Sequence, residues 1–420
     1  AVAGPSFSNA GGTLTVSQNF GANVGTFDNM GGKLNAGSLQ INTTGDFINV
    51  DGKLTSDGDV NLAIGGNADN TRGTISATSA LTAGIVGATN NTSGTLIANN
   101  NVALSAASLD NTKGGIQSAG ANTQLVVASQ LINAAGTIGA AKDVSIQAGS
   151  LSNSGSVRGT NDTALNVSGA LINDRSITAG RNTQIVAGSV QGSRTGVFGA
   201  GVQNDGSSGG SGDLRIAASG ALIANGTNFA AGNTVLQGAS VDLSSSETNG
   251  AEIAITAANG NVTTSRAKVV TPGTLKVTAT GAVFNIAGTL AADGAATVDA
   301  GSLDNSSGTL ASVTNNLRIK TIGATSNKAG SLLAAGAVEL ENSGLDNTEG
   351  KLSGNSLSVA TGNGQLDNTH GTLTATTTVA LSSGALVNDA GLIQSGGAMT
   401  IDTNGQSLTN TNAANYTTKQ

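Results

Sequence analysis

The sequence predicts an all-β fold: a right-handed parallel β-helix, built as a triangular solenoid of ~20-residue coils with three short strands per coil. Three observations predict it. An asparagine returns every 20 to 22 residues, short alternating apolar stretches lie between the asparagines, and the apolar side chains are mostly small.

The repeat is anchored on the pattern apolar-x-Asn-x-x-Gly-x-apolar, as in Leu303, Asn305, Gly308 and Leu310. Sixteen asparagines keep this spacing in two series, which is typical of stacked structural repeats. The first series is Asn9, Asn29, Asn49, Asn70, Asn91, Asn111, Asn133, Asn153 and Asn173, and the second is Asn285, Asn305, Asn327, Asn347, Asn368, Asn388 and Asn410.

Each unit contains three apolar stretches, for example 109–110, 115–118 and 124–127. Alternation such as Val144-x-Ile146 predicts strands that turn one face inward. Gly, Asn, Asp and Ser separate the stretches and indicate tight turns. About 20 coils stacked ~4.8 Å apart would give a rod on the order of 100 Å long.

The recurring asparagine and glycine predict sharp corners with left-handed backbone, which these two residue types tolerate best. Stacked corners place each asparagine amide beside the amide of the next coil, so we expect an amide ladder along the axis. This structural role is predicted for Asn29, Asn49, Asn70, Asn91, Asn111, Asn133, Asn153, Asn173, Asn285, Asn305, Asn327, Asn347, Asn368 and Asn388.

The composition narrows the function classes. Gly accounts for 62 of 420 residues, aromatics for 2%, and Cys and Trp are absent. Without cysteine there is no disulfide scaffold, thiol nucleophile or Cys-ligated zinc. The formal net charge is −7 with few Lys and Arg, which disfavours nucleic acid as a partner. No apolar run approaches the ~20 residues of a membrane span, and no motif calls for a cofactor.

These units resemble the filamentous haemagglutinin repeats of two-partner-secreted exoproteins. The resemblance rests on Leu-Asp-Asn-x-x-Gly-x-Leu and on the Ser-Gly and alternating strand that follow, as between Leu386 and Ile401. It implies a right-handed β-helical shaft, an outer-membrane secretion partner, and a place on the surface of Gram-negative bacteria. It also implies a receptor or glycan on host or bacterial cells.

The family contains both adhesins and effectors of contact-dependent growth inhibition. The Asn-Pro-Asn-Leu motif of its amino-terminal secretion domain and the Val-Glu-Asn-Asn boundary before a toxin are both missing from the sequence. We therefore expect an internal fragment, with adhesin shaft and toxin-bearing stalk as open alternatives.

The period is regular over 1–189 and 283–420 and irregular over 190–282, within one continuous solenoid. Between Val190 and Leu222 the step is 32 residues, so we predict an extra-helical loop near 195–212. It is either a flexible loop or a binding loop. The binding hypothesis assigns the contact to Arg194, Phe198, Asn204 and Asp205.

The third alternative is a carbohydrate-processing β-helix enzyme, which needs carboxylates grouped on one face. Asp110, Asp304, Asp346 and Asp367 precede anchoring asparagines. Stacked carboxylates could raise a pKa or hold calcium, but solvated turn aspartates fit the repeat better. The segment 206–210 matches Gly-x-Ser-x-Gly, yet no helix is predicted after it, and His370 is the one histidine. We predict no enzymatic activity.

Overall fold

The computed structural model describes residues 1–203 and 206–412. Within those ranges it contains strands and turns and no helix, so none of the described residues form a helix that could cross a membrane. The chain divides into two units, Ala1–Ala217 and Ala218–Gln420. Each unit is a parallel β-solenoid, as predicted.

The first unit contains strands β1 to β22 and all but the last residue of β23. Strands β1 to β8 are Val2–Ser8, Thr13–Asp28, Lys33–Thr43, Phe47–Ile48, Lys53–Ser56, Val60–Ile64, Ala68–Asp69 and Thr74–Ala77. Strands β9 to β16 are Leu81–Ile85, Ala88–Asn90, Thr95–Ala98, Val102–Ala106, Ser108–Asp110, Gly115–Ser118, Thr123–Asn133 and Thr137–Ala140. Strands β17 to β23 are Val144–Asn153, Ser156–Gly159, Thr163–Asn173, Ser176–Ala179, Thr183–Gly192, Val197–Ala200 and Leu214–Ala218.

The second unit contains strands β24 to β49. Strands β24 to β32 are Ala221–Ala224, Thr227–Ala230, Thr234–Gly238, Ser240–Asp242, Glu247–Asn249, Ile253–Ala257, Val262–Thr263, Lys268–Thr271 and Leu275–Ala279. Strands β33 to β41 are Ala282–Phe284, Thr289–Ala292, Ala296–Ala300, Ser302–Asp304, Thr309–Ser312, Leu317–Thr321, Thr325–Ser326, Ser331–Ala334 and Ala337–Glu341. Strands β42 to β49 are Leu345–Asp346, Lys351–Ala360, Leu366–Asp367, Thr372–Ser382, Leu386–Val387, Leu392–Ser395, Met399–Asp402 and Leu408–Thr409.

Each coil has a first strand that leads into the anchoring corner, a second strand after the glycine, and a third strand. Strands β13, β14 and the start of β15 are one example. Equivalent strands pair in parallel, so that Leu96, Ile116 and Ile138 lie in register in three successive coils. In several coils the third strand runs on into the next first strand, as in β15, where the register shifts after Val127. The predicted turn at this position is there reduced to a bulge.

The core is a narrow stack of inward columns that repeat from coil to coil. Leu109, Leu131 and Leu151 form one such column, and all three are buried. At the amino-terminal end the column contains rings instead: Phe27 and Phe47 stack with their centroids 5.5 Å apart. Small aliphatic side chains suffice because each layer has to fill only the inside of one coil.

Candidate functional site

The anchoring asparagines of the first unit form a column of linked amides. The Nδ2 of Asn91 donates to the Oδ1 of Asn111 at 2.7 Å, and Asn111 donates likewise to Asn133 at 2.8 Å. Asn111 Nδ2 also donates to the carbonyl oxygen of Gly114 at 3.3 Å. From Asn29 to Asn173 these side chains are at most 2% exposed. Both amide atoms of each inner member therefore have partners within the protein.

The second unit has the same column over part of its length. It runs from Asn285 to Asn410, with Asn327 donating to Asn347 at 2.8 Å. Upstream, the register places Ala224, Leu243 and Thr264 at the corner position. The Thr264 hydroxyl donates to the Oδ1 of Asn285 at 2.9 Å, so it ends the column with a satisfied acceptor.

The glycine three residues after the asparagine is required by close approach. A Cβ at Gly52 would lie 2.3 Å from the carbonyl oxygen of Asn29 and 2.4 Å from the Oδ1 of Asn49. The residue with left-handed backbone lies between the asparagine and the glycine, directly before the glycine. Asp51 and Arg72 are examples, both with φ of 54°. The expectation that the asparagine or this glycine adopts positive φ is therefore wrong for these corners. One αL residue without glycine costs only ~1–2 kcal/mol.

The aspartates before the asparagines cap their own turns. Asp346 Oδ1 accepts the Thr348 N–H at 3.1 Å and its hydroxyl at 2.7 Å. Burial opposes the charge of Asp346, but these bonds and the Lys328 ammonium at 3.3 Å outweigh it, so its pKa lies below the ordinary value. The raised pKa that the carbohydrate-enzyme alternative would need is therefore contradicted at Asp346, which acts as a turn aspartate. A carboxylate held in its charged form cannot act as a general acid at neutral pH.

Three of these aspartates nevertheless share one face. Asp304, Asp346 and Asp367 line an open groove of about 600 Å³ in the second unit. This is the grouping that the carbohydrate-enzyme alternative requires. Among the described residues, however, no group of three His, Cys, Asp or Glu side chains could hold a metal ion. The three carboxylates of the groove already accept hydrogen bonds within their own turns.

The nucleophile-elbow match lacks its structural context. Ser208 forms an antiparallel bridge with Val202 rather than following a parallel strand. In the described ranges no helix follows the serine, although the motif depends on that helix. His370 occupies the left-handed position of a corner, with φ of 54°.

The predicted loop begins later than expected. Phe198 lies in β22 and is buried, and the Thr183 hydroxyl donates to the Gly199 carbonyl at 2.6 Å. Phe198 was wrongly placed in the loop because its strand continues the core column. The chain leaves the coil only at Gly201, and Arg158 donates to the Val202 carbonyl at 2.8 Å near that point. Arg194 is exposed, and Asn204 and Asp205 lie outside the described residues.

A second buried polar set was missed from the sequence. The hydroxyls of Thr163 and Thr234, at the start of third strands, donate at 2.7 Å to the carbonyl oxygens of Thr178 and Asn249. Each threonine is fully buried and ties the third strand of its own coil to the end of the second strand of the next coil. A threonine two residues before an apolar residue was the available signal, but a chain this rich in threonine conceals it.

Comparison with known proteins extends these observations. The family model of the haemagglutinin repeat matches residues 1–62, 36–86, 64–139, 207–267, 270–321, 313–369 and 353–415. "Toxin CdiA" of Yersinia pestis is 36% identical over 202 residues, which are 46% of this chain and 6% of the relative. "tRNA nuclease CdiA-2" of Burkholderia pseudomallei is 41% identical over 110 residues, 26% of this chain and 4% of the relative. No solved structure matches. The chain thus spans a small fraction of these two relatives.

Proposed function

Because the chain belongs to the haemagglutinin repeat family, we propose that it is part of the structural shaft of a secreted surface exoprotein of a Gram-negative bacterium. The observation that carries the proposal is the stack of interchangeable coils: each contacts mainly its neighbours, so length can vary while the ends stay the same. Such a region holds a binding surface or a distal domain away from the cell. It is proposed to have no catalytic step of its own.

The proposed partners follow from the family. They are an outer-membrane protein that exports the chain, and a receptor or glycan on a host or neighbouring bacterial cell. Between adhesin shaft and growth-inhibition stalk, the names of the relatives favour the stalk, since one is named a toxin and the other a tRNA nuclease. In that case the toxic chemistry lies in another part of the full-length protein.

An in-phase deletion in the full-length protein tests the shaft proposal. Leu303 and Leu345 occupy equivalent positions two coils apart. Deleting residues 303–344 joins Ser302 to Leu345 and keeps inward residues inward. We expect normal export and nearly unchanged adhesion or inhibition of neighbouring cells. A variant that reaches the surface but loses all activity would overturn the proposal, because it would place a discrete site in those coils.

The binding loop is a separate proposal, now limited to Arg194 and to the chain between Gly201 and Gly212. Deleting residues 203–211 removes the loop and leaves β22 intact. A second variant, Arg194→Ala, tests the exposed arginine separately. If the loop contacts a partner, adhesion falls while the melting temperature holds. If both variants adhere as well as the wild type, the binding proposal is wrong and the segment is only an insertion tolerated at a corner.

A further inference from the structure

One column of outward side chains contains two lysines stacked against each other. Lys33 and Lys53 are direct register partners in adjacent coils, which places their backbones ~4.8 Å apart. Like charges directly opposite each other are destabilising. Neither ammonium forms an ion pair within the described ranges. The fold itself therefore gives no reason for this pair.

The equivalent column of the second unit contains an opposite-charge pair. There, Glu247 and Lys268 are register partners, and their charged atoms lie 3.8 Å apart. Both pairs lie four residues after the corner position of their coils. Equivalent columns thus contain a like-charged pair in the first unit and an opposite-charge pair in the second unit.

The side chains beside the lysines present donors. Asn35 and Thr55 lie in the next outward column, and the Thr55 hydroxyl donates to the Oδ1 of Asn35 at 2.8 Å. This bond uses the amide oxygen and leaves the Asn35 NH₂ facing solvent. The nearest carboxylate along the chain, Asp51, is held by Arg72 at 2.6 Å. That ion pair lowers the pKa of Asp51 and removes it as a competitor for Lys53.

A shallow trough of about 210 Å³ is lined by Lys33, Lys53, Asn35 and Thr55, together with Thr13 and Thr15. It is smaller than the ~300–1,000 Å³ of a pocket for a drug-sized ligand. Two ammonium groups and an amide NH₂ match a ligand that offers only acceptors. A single sugar unit with a carboxylate or sulfate fits this volume, with the rest of the polymer outside.

We propose that Lys33, Lys53 and Asn35 form a subsite for one charged unit of an acidic polysaccharide. The lysines bind the carboxylate or sulfate, and Asn35 donates to a ring or hydroxyl oxygen. The proposed surface location is used only to choose the class of ligand, a polysaccharide that a surface protein would meet. Binding is tested on the 420-residue chain itself, so its failure leaves the shaft proposal untouched.

The test measures binding of dextran sulfate, polygalacturonate and unmodified dextran by biolayer interferometry. Three variants carry the same formal net charge, since each takes −7 to −9. They are Lys33→Ala with Lys53→Ala, the single change Lys53→Glu, and the control Lys276→Ala with Lys351→Ala. Lys53→Glu recreates the opposite-charge pair seen at Glu247 and Lys268, so it should fold at least as well as the wild type.

We expect the wild type and the control to bind one or both acidic polymers and not dextran. Lys33→Ala/Lys53→Ala and Lys53→Glu should bind ~10-fold more weakly, because charge-assisted hydrogen bonds are lost. Binding should vanish at ~1 M salt, where the Debye length is ~3 Å. Equal losses in the control and the lysine-pair variant, unchanged affinity of Lys53→Glu, or equal binding of dextran would each overturn the proposal.

Discussion

Two stretches of the second unit build the same corner with different residues. From Asn285 onward the corner contains the asparagine column and the glycine three residues later. In the two coils just before it, Leu243 and Thr264 take the asparagine position, and Ser246 and Ala267 take the glycine position. The turn is kept in both stretches, because Ser245 and Arg266 have positive φ just as Ala287 does. The asparagine is therefore not what bends the chain.

The comparison teaches that asparagine and glycine come as a pair. The asparagine fills the corner with amides that bond along the axis, and the backbones beside them then leave no room for a Cβ. Where an aliphatic residue or threonine fills the corner, side chains return at the glycine position. The laddered coils gain matched buried hydrogen bonds. Of the two coils before them, one fills the corner with the fully buried aliphatic side chain of Leu243, and the other with Thr264, which donates a single hydrogen bond to Asn285.

A change of phase should have the largest effect. Deleting residues 303–312 removes half a coil, so strands meet turns and apolar faces miss the core. We expect aggregation or loss of a cooperative melt by circular dichroism. Deleting one whole coil, either 303–324 with asparagine or 241–261 without it, should preserve a cooperative melt. A well-folded half-coil deletion would contradict the stacking of equivalent columns.

The second-largest loss of stability should come from substituting the corner glycine. At Gly308 a Cβ would lie 2.2 Å from the Asn285 carbonyl oxygen and 2.6 Å from the Asn305 Oδ1. Gly308→Ala should lower the free energy of unfolding by ~3 kcal/mol, as for an overpacked core. The matched change Ala267→Gly, at the same position of a coil without asparagine, should cost ~1 kcal/mol or less. Equal losses in chemical denaturation would refute the pairing of asparagine with glycine.

Breaking the asparagine ladder should lower the free energy of unfolding somewhat less. Asn305 accepts from Asn285 at 2.7 Å and donates to Asn327 at 2.8 Å. Asn305→Leu leaves the Asn327 oxygen without its donor, at a cost of ~1–3 kcal/mol. Leu243→Asn, the reverse change outside the column, should also destabilise because its amide oxygen finds no donor. If Asn305→Leu melts like the wild type, the ladder adds no stability.

The smallest effect should come from removing the charge of Asp346, which changes how stability depends on pH. The pKa of Asp346 is lowered in the folded chain, so its charge stabilises the fold above its unfolded pKa of ~3.9. That stabilisation is lost as the pH falls through the folded pKa. Asp346→Asn keeps the turn acceptor and should cost less than ~1 kcal/mol at pH 7, since the group is partly exposed. The difference from the wild type should disappear near pH 2, and a difference that persists there would argue against a charge effect.

Much of this architecture could be predicted from the sequence, because each coil contacts mainly its neighbours. A spacing of 20 to 22 residues between asparagines is then also a spacing in space, and it predicts that Asn91 lies beside Asn111. The same reasoning predicts the inward columns and the parallel register. The resemblance to haemagglutinin repeats rests on the same periodic residues.

Only the tertiary structure decided what depends on distances between coils. The reason for the glycine at position 52 is the carbonyl oxygen of Asn29 in the coil before it, which no local pattern reveals. Phe198 is buried because its strand continues a column across an irregular step, where the period no longer serves as a guide. The facing lysines 33 and 53 are ordinary surface residues in the sequence. They become a candidate subsite only when stacking sets two like charges side by side.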